Sequence, residues 1–229
     1  MINTKKLKVI ILFAIICFVL PLGCCSSNQK LEVPIEPTIS ATGYNESGSP
    51  FPSAFQFSIG DCKYNIPFTD KASRVCGSKK KEEFSVPVQE GANVWIRLEY
   101  LPYKGDIILI YDTQNDRDDW SAGMVTRLES KNLIPKWYAE ILGFNTCPCL
   151  REGSYLYVTG ASFIGKLDLD KGKYVWSHRL QNEFGFISNF MLPKIDGNKV
   201  IFTEDMNINA AGNGRSVVVD KESGRLLKQ

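Results

Sequence analysis

The chain has 229 residues, with 27 Lys and Arg against 25 Asp and Glu, and a single histidine. That length fits one domain or two small ones. The near balance of charge gives no electrostatic case for nucleic acid or an anionic membrane surface, and one histidine excludes the multi-histidine zinc sites of exported hydrolases.

The N-terminus reads as an export signal. Lys5, Lys6 and Lys8 precede an apolar run from Val9 to Leu22, and Gly23, Cys24 and Cys25 follow. The run of 14 residues is shorter than the roughly 18 to 20 that span a bilayer as a helix. The segment resembles a bacterial lipoprotein signal: Gly23 stands directly before Cys24, Leu22 before that, and Pro21 takes the place where Leu is usual. The resemblance implies removal of residues 1 to 23, lipidation of Cys24 and membrane attachment through that lipid. It also implies the outer membrane, facing the periplasm, in a Gram-negative host, because Cys25 is not the retention aspartate. An ordinary secretory signal cut near Cys25 and a short uncleaved anchor also fit these residues. Without the first 23 residues the chain keeps 24 basic residues against 25 acidic, a formal charge of −1.

Residues 24 to 53 carry Pro34, Pro37, Pro50 and Pro52 among Ser, Asn and Glu. That composition predicts a flexible, disordered linker. Export places Cys25, Cys62, Cys76, Cys147 and Cys149 in an oxidising compartment. Cys62 and Cys76 flank a turn-rich stretch and are disulfide candidates. Cys147 and Cys149, separated by one proline, form a possible thiol pair. A strained bridge between them and a bond from one of them to Cys25 are equally open.

From Ala54 onward, short apolar or alternating runs separated by Gly, Asn, Asp or Pro predict an all-β chain. Lys136 to Leu142 is the one stretch where a helix competes with a strand. Three units repeat: Asp106 to Asp112, Met124 to Glu129 and Ile134 to Trp137; Ser154 to Thr159, Ile164 to Asp168 and Gly172 to Trp176; Lys199 to Thr203, Ser216 to Asp220 and Gly224 to Leu227. Ile107 and Tyr155 are 48 apart, and Tyr155 and Val200 are 45 apart. A period of that length in a β chain marks propeller blades. Upstream segments Val94 to Tyr100, Phe144 to Leu150 and Ile187 to Leu192 would supply a fourth strand to each unit.

Asp168 and Asp220 each stand four residues before a turn glycine, Gly172 and Gly224, followed by a basic residue and an apolar pair. On these residues, over about 93 to 229, the chain resembles quinoprotein-type (PQQ-like) β-propeller repeats. The expected fold is a small or incomplete β-propeller-like domain of three to four four-stranded blades after the linker, with residues 54 to 92 a degenerate blade or a cap. A closed four-blade form, an open sandwich and a fragment of a longer ancestor all fit.

The chemistry-bearing residues do not assemble into a catalytic set. His178 reads as a polar strand end. Asp112, Asp116, Asp118 and Asp119 lack the glycine of a calcium loop, with Arg117 in its place. Gly212, Asn213 and Gly214 read as a turn, and Trp95, Trp120, Trp137 and Trp176 as packing between blades. No catalytic residue, metal or cofactor is expected. The expected function is a cell-envelope lipoprotein that binds a protein partner without catalysis, with an accessory, assembly or immunity role. An exported hydrolase and a structural envelope component are the alternatives.

Overall fold

The computed structural model describes residues 33–44, 52–68, 71–88, 94–114, 121–142, 148–185, 187, 189–205 and 214–227. Among them the fold is all-β, with a single helical turn, α1 (Gln181–Phe184). No helix of the described residues is long and apolar enough to cross a membrane.

The described residues open on three short strands, β1 (Ile35–Pro37), β2 (Ile39–Ser40) and β3 (Thr42–Tyr44). Four antiparallel sheets follow in sequence. The first holds β4 (Ala54–Ile59), β5 (Cys62–Pro67), β6 (Ala72–Cys76) and β7 (Glu82–Phe84). The second holds β8 (Val94–Tyr103), β9 (Asp106–Gln114), β10 (Ser121–Leu128) and β11 (Pro135–Ile141). The third holds β12 (Leu150–Glu152), β13 (Tyr155–Gly160), β14 (Phe163–Asp168) and β15 (Lys173–Arg179). The fourth holds β16 (Lys194–Asp196), β17 (Lys199–Thr203) and β18 (Ser216–Asp220). Within each sheet the strands are joined in chain order, so the domain is a series of four propeller-like blades.

The near-continuous apolar run of β9 has a simple cause. Successive side chains of a strand point to opposite faces. Ile107, Leu109 and Tyr111 enter a cluster with Phe55, Ile66 and Phe84 of the first sheet. Ile108 and Ile110 enter a second cluster with Leu156, Val158 and Phe163 of the third. The third sheet divides likewise, Tyr157 and Ile164 packing with Phe202 and Val217 of the fourth. Three clusters thus make three junctions, and among the described residues none joins the fourth sheet to the first.

Each junction carries the same polar coupling. Glu129, Asp168 and Asp220 open turns in which the residue four places on donates its N–H to their carbonyl at 2.8 Å in all three. That residue, Leu133, Gly172 or Gly224, has φ of 59°, 66° or 71°. A cation from the preceding sheet reaches the carbonyl just after the acidic residue. Arg74 donates to Ser130 O, Arg127 to Leu169 O at 3.0 Å and Lys166 to Lys221 O at 3.0 Å. Arg127 and Lys166 pair across their strands with Trp137 and Trp176, whereas Arg74 pairs with Glu82. In the fourth sheet Val218 stands where the cation would be, so the coupling ends there.

The structure corrects the sequence reading at several points. Residues 33–44, read as linker, form β1, β2 and β3 and pair with β12, β8 and β4. They give the first three sheets a fifth strand each. Within residues 54 to 92, read as a degenerate blade or a cap, β4 to β7 form a four-stranded antiparallel sheet. Of the fourth-strand candidates, Val94 to Tyr100 lies in β8. Phe144 to Leu150 falls mostly outside the described residues. Ile187 to Leu192 gives way to β16, because Ile187 and Phe190 are buried as packing residues in the third cluster. Where helix and strand competed, over Lys136 to Leu142, residues 136–141 lie in strand β11.

Candidate functional site

The inner strands β4, β8 and β12 would each present an open edge, and residues 33–44 close all three. This segment forms a strap. Pro34 and Pro37 favour extended backbone. Pro34 O accepts the Gly153 N–H at 3.0 Å, Thr38 N–H donates to Cys149 O at 2.9 Å, and Ala41 N–H donates to Leu98 O at 2.9 Å. Arg151 holds Glu36 at 2.9 Å.

Thr38 is the crossing point between the second and third sheets. Its hydroxyl accepts the Cys149 N–H at 3.0 Å and donates to the Glu99 carboxylate. Glu99 is only 1% exposed. Burial pushes its carboxyl above the usual range, against the opposing effects of the Thr38 hydrogen bond and the Arg97 charge.

The other side of the strap faces outward. Val33, Ile35 and Ile39 are 53%, 56% and 47% exposed, although the backbone that carries them is hydrogen-bonded to the core strands. Alternation along an extended segment puts such residues on one side. A groove of about 720 Å³ begins beside Ile39, at Ser40 and Thr42, and continues over the first sheet.

The sequence-predicted residues distribute as follows. Cys24, Cys25 and Cys147 lie outside the described residues. Cys62 and Cys76 face each other across β5 and β6 and are joined as a disulfide. Asp61 lies beside them, but the two sulfurs are already bonded to each other. Cys149 is fully buried under the strap. His178 contacts the Gly224 carbonyl at 2.7 Å through Nε2, at the turn of the next sheet. Asp112 is buried in β9, while Asp116, Asp118 and Asp119 lie outside the described residues, as do Trp120, Gly212 and Asn213. Trp137 and Trp176 lie at sheet junctions, against Gly172 and Gly224. Among the described residues no nucleophile is placed together with a base.

The sequence reading missed the strap and its Thr38–Glu99 contact. A signal for the strap existed in the alternating Val33, Ile35 and the later Ile39, but the prolines among them read as linker. Glu99 sits inside a strand whose neighbours gave no reason to single it out.

No protein-family model matches the chain, and no curated protein matches it. Among solved structures it is similar to a quinohemoprotein alcohol dehydrogenase from Pseudomonas putida, with 15% identity and a TM-score of 0.40 over 56% of this chain and 19% of that one. It is similar to BamB from Moraxella catarrhalis, with 14% identity and a TM-score of 0.41 over 85% of this chain and 51% of that one. A chain of the mitotic checkpoint complex gives 12% identity and a TM-score of 0.33 over 86% and 73%. The chain therefore spans about a fifth of the dehydrogenase and about half of BamB.

Proposed function

We propose that this chain is a lipid-anchored protein of the bacterial cell envelope that binds a protein partner without catalysis. One observation carries the reading: Val33, Ile35 and Ile39 hold exposed apolar side chains on a strap whose backbone is fixed to the inner strands of three sheets. Apolar groups presented in a row on a rigid frame are what a protein interface buries. The export signal and Cys24 support the envelope address. The single histidine supports a non-catalytic role, because its Nε2 is engaged with the Gly224 carbonyl.

A photo-crosslinking amino acid at Ile35 or Ile39, activated in intact cells, tests the reading. The expected result is a discrete crosslinked protein at both positions and none at Val175, which is exposed on the outer strand β15. Absence of any product at Ile35 and Ile39 overturns it. The anchor is tested separately by palmitate labelling, which is lost in Cys24→Ser if the reading holds.

A further inference from the structure

The groove beside the strap points to a second ligand, of a different chemical class. It is lined by β3 to β6 of the first sheet together with Ser40 of β2 and Tyr100 of β8 from the second. The register places Thr42, Gln56, Asn65 and Ser73 directly opposite one another on four adjacent strands. At a strand spacing of roughly 4.8 Å, this row of hydroxyls and amides is about 14 Å long. A second row beside it runs from Ser58 through Lys63 to Val75, and Tyr100 closes one side of the groove. On the opposite face the same strands carry Phe55 and Ile66, buried against the second sheet, while Phe57 and Tyr64 belong to that cluster and also border the groove.

The composition of the groove selects its ligand. The backbone donors and acceptors of β4 and β5 are spent on their neighbours, so a ligand lying on this face meets side chains and not a free edge. An extended peptide is recognised chiefly by main-chain pairing at an edge, which this face does not offer. The row of hydroxyls and amides, with the Ser58 hydroxyl beside it, matches a ligand with many hydroxyls of its own, and Val75 and the Tyr100 ring supply apolar surface for the C–H face of a sugar. Among the described residues Lys63 is the only formally charged one lining the groove, and no carboxylate lines it. The charge complement of that lining is an anion.

We propose that this face binds an acidic oligosaccharide, with Gln56 and Asn65 contacting ring hydroxyls and Lys63 contacting a sugar carboxylate. This goes beyond the protein-partner reading and does not depend on it.

Calorimetric titration of the folded chain with tetragalacturonate and with neutral chitotetraose tests the proposal. Tetragalacturonate is expected to bind saturably and at least tenfold more tightly than chitotetraose. Lys63→Gln, at an exposed position, should abolish that preference, and Gln56→Ala should weaken tetragalacturonate at least fivefold. An unchanged near-ultraviolet circular dichroism spectrum establishes that both variants fold. No saturable binding of tetragalacturonate, equal binding of the two sugars, or binding unchanged in both variants overturns the proposal. None of these outcomes affects crosslinking at Ile35 and Ile39, so the two readings fail independently.

Discussion

Trp137 lies directly over Gly172 of the next sheet: a Cβ built on that glycine would stand 2.5 Å from the indole Cγ. Trp176 repeats the arrangement over Gly224, closer still. Both glycines also have positive φ. Gly172→Ala and Gly224→Ala therefore meet two penalties, the left-handed backbone and the overpacked ring. Each is expected to lower unfolding free energy by about 2–4 kcal/mol, measured by urea denaturation. Gly197→Ala is the control. Its φ is also positive, but a Cβ there meets nothing within 4 Å, so it should cost only about 1–2 kcal/mol.

The first junction solves the same turn differently. Leu133 occupies the glycine place at φ 59°, and Glu82 stands opposite Arg74 where the other sheets have tryptophan. With no indole above the turn, a side chain fits, and Leu133 is buried with Phe84. Leu133→Gly relieves about 1–2 kcal/mol of backbone strain but removes a buried leucine at about 2–5 kcal/mol. The expected outcome is net destabilisation by about 2 kcal/mol in the same assay. A stabilised variant would show that the strain outweighs the packing.

Glu99 makes stability depend on pH in a direction opposite to most carboxylates. Its folded-state pKa is raised by burial, so the folded protein holds the proton more tightly than the unfolded chain. The stabilisation from this group is fully present below the ordinary glutamate pKa and is lost as pH rises through the raised folded value. Glu99→Gln keeps a neutral group of similar shape against Thr38 and does not titrate. Its stability relative to the wild type should therefore increase as pH rises from 4 to 8, as read from paired denaturation curves. A difference independent of pH would mean that Glu99 titrates normally.

The disulfide closes a loop of sequence separation 14 within the first sheet. The paired variant Cys62→Ser/Cys76→Ser is expected to lose about 3 kcal/mol of stability, chiefly through a freer unfolded chain. Calorimetry of the variant against the oxidised wild type checks this.

Much of this architecture is legible in the residues. Local rules suffice for the hairpins of β9 to β11 and β13 to β15, because alternation and turn chemistry act within about twenty residues. The Asp168 to Gly172 and Asp220 to Gly224 turns are visible for the same reason: each carboxylate bonds to amides a few residues on, Asp168 to Asp170 and Lys171 and Asp220 to Ser223. What escaped depends on distant partners. The cations at Arg74, Arg127 and Lys166 look like ordinary strand residues until the next sheet places a carbonyl above them. The strap is harder still, since strands of three, two and three residues carry too little periodicity to stand out from a proline-rich segment. The outward apolar side chains and the polar face of the first sheet gain meaning only once their burial is known.

The strap also sets an order of events. Thr38 bonds to Cys149 across 111 residues, and to Glu99 across 61. Contacts this remote close long loops and form slowly. During synthesis residues 33–44 emerge ahead of every strand they will pair with. β3 and β2 gain their partners β4 and β8 first, but β1 has none until β12 exists, so the strap is paired along its full length only once the third sheet has begun. Folding of the domain is thus completed by its beginning.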